Sequence, residues 1–439
     1  MLESTDVFCT TIVTSTIASP QNRTIHRTVL SNGITVLVTE NPSADIIAAR
    51  LFFKAGTRWE PHNKAGLSHL VAAVMTKGTE RHSSLEIAER VESIGASLST
   101  DAASDYFLLS LKTVSADFSE MLMLAGELLR SATFPESEVE LERRLTLQAI
   151  RSQQEQPFTV ALDRLRHAMY GDHPYALSGL GTTETVEQLT REDLQTYYKT
   201  HFRPDNLTIS IAGRITADQA VSQVEKILGD WTAPAIAISQ LTLPSITPNP
   251  IRNTVPQETQ QSIVILGYHA PSIQADLMED YAALKLLNTY LGNGLSSRLF
   301  VELREKRGLA YEVSAFYPTR LDTSYFVTYM GTAPTNTAIA LSGLKTEVDR
   351  LCAAPLSEEE IQVAKNKLLG QYALGKQTNS QLAQIFGWYE TLGLGVEFDT
   401  QFQSAIASVS AEAAQETACR YFGEPYISLL GPENAIATA

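Results

Sequence analysis

The chain of 439 residues has only three cysteines, Cys9, Cys352 and Cys419, far apart and without paired spacing. That excludes a disulfide framework and fits a reducing compartment. Basic residues are also short, with 34 Lys and Arg against 49 Asp and Glu and a formal charge of −15. Nucleic-acid binding is driven by cations on phosphates, so this balance argues against it and leaves basic peptides or a basic protein surface as better partners, beside plain solubility. No run approaches the roughly 18 uninterrupted apolar residues of a membrane-spanning helix. The first 19 residues carry Glu3 and Asp6 but no Lys or Arg, whereas a secretory signal opens with positive charge. A cytoplasmic protein with a frayed N-terminus is the expectation.

What is present is ordinary for a folded chain, 44% hydrophobic and 19% charged. The length exceeds one ordinary core, so two or more domains follow. Asn32-Gly33 signals a turn before an alternating strand at 34–38, and 46–53 reads as a second strand. Helical spacing marks 85–94, 121–130, a long helix opened by Pro135, and 190–199; strands fall at 106–111 and 207–212. His173-Pro174-Tyr175 and Gly179-Leu180-Gly181-Thr182 read as a plain loop, since no Gly-Lys-Ser/Thr follows. Pro234, Pro244, Pro248 and Pro250 crowd a segment of little periodicity, a linker at 233–250. Beyond it come a strand at 261–268, helices at 278–290 and 296–307, paired strands at 311–317 and 324–329, three or four helices within 336–421, and a strand at 426–430.

The halves resemble copies of each other. Pro135-Glu136-Ser137-Glu138-Val139-Glu140 matches Pro355-Leu356-Ser357-Glu358-Glu359-Glu360 at four of six positions, an offset of 220 that Thr190/Ser410, Glu192/Glu412 and Phe202/Phe422 repeat. A shared capping box can arise by convergence, but several matches in order at one offset point to duplication. The expected domains are 20–232 and 251–439.

The stretch 64–79, KAGLSHLVAAVMTKGT, is a helix of apolar character with Lys77-Gly78 as its expected stop. An inverted zinc-peptidase helix reads His-x-x-Glu-His, two histidines at i and i+4 holding zinc and a glutamate between them as general base. Here His69 is followed by Ala72 and Ala73 where the base and second histidine would stand. None of the other histidines forms an i, i+4 pair. A single histidine on an apolar helix is usually packed rather than ligating, because zinc takes about three protein ligands even at a catalytic site.

With its frame, Gly66-Leu67 before His69 and Lys77-Gly78-Thr79 after it, this stretch resembles the mitochondrial processing peptidase and pitrilysin family of zinc metallopeptidases. Leu30-Ser31-Asn32-Gly33, Lys54-Ala55-Gly56 and Arg203-Pro204-Asp205-Asn206 extend the resemblance over most of the chain. The resemblance implies an α+β fold of two homologous domains, each a largely antiparallel sheet packed with helices, facing each other as a clamshell around a peptide chamber. It places the third zinc ligand on a later helix, where the position falls on Ala149. All three lost groups are therefore alanine, and no metal is expected in this chain.

Residues 296–311, SSRLFVELREKRGLAY, read without any family as a helix ending in cations, a glycine cap and an aromatic starting a strand. The stretch also resembles the family's C-terminal motif, in which an arginine and a tyrosine seven residues later reach into the active site. Arg304 and Tyr311 occupy those positions, and a guanidinium and a phenol are donors suited to a scissile carbonyl as it gains charge. Some family members split the two half-sites between subunits. The expectation is a non-catalytic subunit of a heterodimeric zinc endopeptidase that binds peptide and lends Arg304 and Tyr311 to a partner with the intact motif and the zinc. The alternatives are a scaffold with no part in hydrolysis and, last, an autonomous metallopeptidase.

Overall fold

The computed structural model describes residues 13–18, 24–239, 241–437 and 439. The first half contains strands β1 (Val13–Ala18), β2 (Thr24–Val29), β3 (Thr35–Glu40), β4 (Ile46–Phe53), β5 (Ser97–Ala102), β6 (Phe107–Val114) and β7 (Leu207–Gly213). Its helices are α1 (Leu67–Met75), α2 (Ser84–Glu92), α3 (Phe118–Ser131), α4 (Glu136–Gln154), α5 (Pro157–Tyr170), α6 (Thr183–Gln188), α7 (Arg191–His201) and α8 (Ala217–Leu228). The second half has strands β8 (Arg252–Pro256), β9 (Ser262–Ala270), β10 (Ala310–Phe316), β11 (Ser324–Thr332) and β12 (Tyr426–Gly431). Its helices are α9 (Met278–Gly292), α10 (Thr337–Ala353), α11 (Glu358–Leu374), α12 (Asn379–Thr391), α13 (Phe398–Ser408), α14 (Ala411–Tyr421) and α15 (Glu433–Ala437).

The first sheet runs β1-β2-β3-β7-β4-β6-β5 and the second β8-β12-β9-β11-β10. Without β1 and β2 the two orders coincide strand for strand. Each contains one parallel pair, β3 with β7 and β8 with β12, and every other pairing is antiparallel. Convergent caps do not reproduce a pairing order, so the two homologous α+β domains stand on topology as well as on the repeated residues.

Alternation along β4 explains how the layers meet. Ile47, Ala49, Leu51 and Phe53 enter a core with α1, α3, α7 and α8, while Ala48, Arg50 and Phe52 point to the opposite face. That opposite face is closed by α12, which comes from the second half and packs on β4 and β7. The reciprocal exchange closes the second sheet, where α5 from the first half lies on β9 and β12 and Leu165 and Met169 meet Gly267. Each sheet thus borrows its second cover from the other half, and the two domains face each other through these helices. Arg27 pairs with Glu390 at 2.8 Å, and Tyr170 donates to the Thr323 carbonyl at 3.0 Å, adding polar ties across the halves.

Several expectations change. The helix at 64–79 ends at Met75, and Gly78 instead forms an antiparallel bridge with Ser83. The loop around 179–182 leads into α6, with Thr182 as a capping-box residue. Five helices, not three or four, fill 337–421. Helices α5 and α8 and strands β2 and β5 have no counterpart in the sequence reading, and the 296–307 helix is a π-helix over Phe300–Glu305. Cys352 and Cys419, distant in sequence, are neighbours, with the Cys419 thiol 3.4 Å from the Cys352 carbonyl; Cys9 and the expected fraying at 1–12 lie outside the described residues. Between α8 and β8 the described chain has no helix or strand, and Arg203 pins its start by donating to the carbonyls of Pro234 (3.0 Å) and Ile236 (2.6 Å).

Candidate active site

Helix α1 starts where the backbone leaves the right-handed region. Gly66 has φ 94°, and a Cβ there would stand 2.5 Å from the Leu180 carbonyl oxygen, so glycine is required. The first turn is capped from outside by Glu60, whose carboxylate accepts from the Gly66 N–H at 2.9 Å, the Ser68 N–H at 2.6 Å and the Ser68 hydroxyl. A carboxylate is well placed at that positive helix end, yet burial pushes it up to about 7, against the downward pull of those hydrogen bonds. The Leu70, Val71, Val74 and Met75 face is fully buried in the first core.

His69 and Ala73 lie on the half-buried side of α1, one turn apart, with Ala72 between them at 5% exposure. Strand β5 flanks the helix, tied to it by the Thr100 hydroxyl donating to the Ala72 carbonyl at 2.6 Å. Helix α4, which carries Ala149, packs alongside, and Lys77 pairs with its Glu142 at 3.3 Å. Burial holds the His69 imidazole below its usual range, and the charges of Asp101 on β5 and Glu142 on α4 pull it back up. Neither carboxylate was singled out in the sequence, because only the packing of β5 and α4 against α1 brings them near. Positions 72, 73 and 149, where the resemblance places the base and two ligands, are methyl groups, and among the described residues no three His, Cys, Asp or Glu side chains are grouped to hold a metal ion. Zinc does not fit this set.

Arg304 and Tyr311 sit at two backbone irregularities. The π-turn closes through the Lys306 N–H donating to the Val301 carbonyl at 3.0 Å, one residue wider than an α-turn, and Gly308 at φ 61° reverses the chain. Strand β10 then begins with a register shift between Ala310 and Glu312, which leaves Tyr311 in a bulge on an edge strand. Arg298 anchors the turn by pairing with Glu302 at 2.9 Å and Glu347 at 2.7 Å. Tyr311 is 64% exposed and Arg304 is exposed, its guanidinium 4.9 Å from the centroid of the Phe300 ring. No hydrogen bond joins the two side chains among the described residues, as fits two donors that would serve a third group. π-turns and bulges often mark functional positions, and neither irregularity has a signature in the residues 296–311.

Two like α+β domains, with His69 on a buried helix whose positions 72 and 73 are alanine, are what fold and sequence define here. Residues 35–183 match the family described as Insulinase (Peptidase family M16), and residues 188–368 match the Peptidase M16 inactive domain. The chain belongs to this insulinase family, M16. It is 28% identical over 416 residues to an uncharacterized zinc protease of Streptomyces coelicolor, covering 93% of this chain and 90% of that one. An uncharacterized zinc protease of Bacillus subtilis is 26% identical over 416 residues, with 93% and 98% covered. Among solved structures, a protease from Helicobacter pylori superposes with a TM-score of 0.85 at 20% identity, covering 92% of this chain and 98% of that one. A peptidase M16 inactive domain from Pseudomonas fluorescens gives 0.85 at 22% identity, covering 93% and 98%. These likenesses establish the fold. No helix among the described residues is long and apolar enough to cross a membrane.

Proposed function

We propose that this chain is the non-catalytic subunit of a two-chain zinc metalloendopeptidase, holding peptide and lending Arg304 and Tyr311 to a homologous partner that carries His-x-x-Glu-His, the third ligand and the zinc. The observation that carries this reading is the presentation of those two side chains. Both are exposed, at a π-turn and a bulge, and neither makes a hydrogen bond or ion pair among the described residues. Donors left uncommitted in their own chain are available to a substrate carbonyl on another. Peptide binding is supported by β5, an outer strand beside α1 whose residues alternate between exposed and half-buried and whose free edge offers backbone partners to an extended peptide. In a mixture with such a partner, Arg304→Ala or Tyr311→Phe lowers turnover by about 10²–10³, the usual contribution of one preorganised oxyanion donor. Unchanged turnover in both variants overturns the donor role.

The second reading is a scaffold subunit, and one observation favours it: the Arg304 guanidinium rests on Phe300 of its own turn, a cation–π contact that occupies it locally. That reading requires complex formation to matter while cleavage is indifferent to Arg304.

A further inference from the structure

An inner strand of the first sheet, β4, carries a charge that the proposed chemistry does not use. Arg50 lies on β4 between β7 and β6, on the face that α12 covers, half-buried beneath the edge of that helix. Its Nη1 donates to two backbone carbonyls, Ala49 at 3.1 Å and Leu111 at 3.3 Å. Its Nε and Nη2 have no partner among the described residues, and no carboxylate pairs with it. Burial pulls the guanidinium below its usual range, and no acidic group acts to restore it; Asp101 and Asp105 act on the neighbouring Tyr106 instead. A half-buried guanidinium without a counterion costs stability, and its cross-strand neighbours on this face, Ser210 and Ser110, are neutral, so a ligand carrying the opposite charge would relieve that cost.

Arg50 lines a cavity of about 460 Å³ between the first sheet and α12. Gln381 and Gln384 stand on one side as polar groups, and Tyr106, Ile385 and Trp388 form apolar and aromatic walls. The Nε/Nη2 fork matches the two oxygens of a carboxylate, and the walls suit an apolar side chain beside it.

We infer that this cavity is a carboxylate-recognition subsite, with Arg50 receiving the terminal carboxylate of a bound peptide and Ile385 and Trp388 receiving its last side chain. The inference rests on the peptide-binding reading above and adds the end of the peptide that is recognised. Because β4 belongs to the first half and α12 to the second, the subsite exists only when the two halves are packed.

The test compares three labelled decapeptides on the full-length chain by fluorescence anisotropy: a free C-terminal carboxylate, the carboxamide, and a carboxamide with glutamate as its last residue. The free acid is expected to bind about tenfold to a hundredfold tighter than the plain carboxamide, the range of a charge-assisted hydrogen bond. Arg50→Gln removes the difference and Arg50→Lys restores part of it. Equal affinity of acid and plain carboxamide for the native chain overturns the subsite while leaving peptide binding intact. A glutamate peptide that outbinds the free acid overturns the terminal assignment in favour of an acidic side chain. If no decapeptide binds, N-acetyl-leucine and its amide titrated against tryptophan fluorescence decide. A preference for the acid that Arg50→Gln abolishes keeps the subsite and removes the peptide reading, and no preference removes both.

Discussion

Gly387 of α12 lies against the ring of Phe52 on β4, so close that a Cβ on the glycine would stand 2.5 Å from Phe52 Cε2 and 2.8 Å from Ser210 Cβ. Neither Phe52 nor the strand beneath it can retreat, because Phe52 is fully buried and β4 is held on both edges by β6 and β7. Overpacking of this kind costs about 1–3 kcal/mol, against about 1 kcal/mol that alanine gains over glycine inside a helix. Gly387→Ala is expected to destabilise the chain by up to about 2 kcal/mol net. Denaturant unfolding measures it, and a stabilising result means that α12 does not seat on β4 as described.

Glu60 makes stability depend on pH in a stated direction. Its folded pKa is raised to about 7 from an ordinary 4.5, so the folded state holds a proton that the unfolded state has released between these values. The stabilisation is complete below about pH 4.5 and is lost as pH rises through about 7. Thermal midpoints are expected to fall over that window, and Glu60→Gln, which keeps an acceptor for the Ser68 and Gly66 amides, flattens the trend. A native profile that rises across the window, or one that the variant leaves unaltered, refutes the assignment.

The metal helix should be repairable. Since α4 still packs beside α1 and His69 is in place, the triple variant Ala72→Glu, Ala73→His, Ala149→Glu regains a three-ligand set with a base. It is expected to retain about one zinc per chain after dialysis, and the native chain none in stoichiometric amount. Metal analysis of both samples decides, with stoichiometric zinc in the native chain counting against the reading of the site.

The second core contains a buried ion pair, Lys376 with Asp399 at 2.8 Å, each 2% exposed; Asp399 also accepts from Tyr372 at 2.6 Å. Removing the cation leaves the buried Asp399 carboxylate facing the neutral donors Tyr372 and Gln403, so Lys376→Met is expected to cost about 3–5 kcal/mol, while replacing both members by apolar residues of similar volume costs far less. Urea midpoints of the single and paired variants test this. Comparable losses in both assign the stability to packing instead of charge.

Much of this was legible in the chain itself. Strand β4, helices α7 and α9, and the Pro135 start of α4 follow from period and caps, because these are local properties that neighbours in sequence settle. Strand β5, Ser97–Ala102, escaped because a sheet edge with one exposed face carries few apolar residues. Helices α5 and α12 cover the opposite half's sheet, and nothing in a helical period names the sheet that will receive it. The π-turn at Arg304 and the bulge at Tyr311 were hidden for a related reason: both are adjustments of backbone register that depend on what the segment packs against.

The sequence by itself determined that the chain is a duplicated α+β protein, that positions 72, 73 and 149 are alanine, and that 304 and 311 are arginine and tyrosine. Covalent order is enough for these, since they are statements about which groups exist. Only the tertiary structure decided which groups meet. It brings Asp101 and Glu142 to His69, seats Glu60 at the start of α1, and sets Arg50 under α12 without a counterion. The contacts of His69 and Arg50 join segments tens to hundreds of residues apart, and the burial that shifts all three groups exists only in the folded chain.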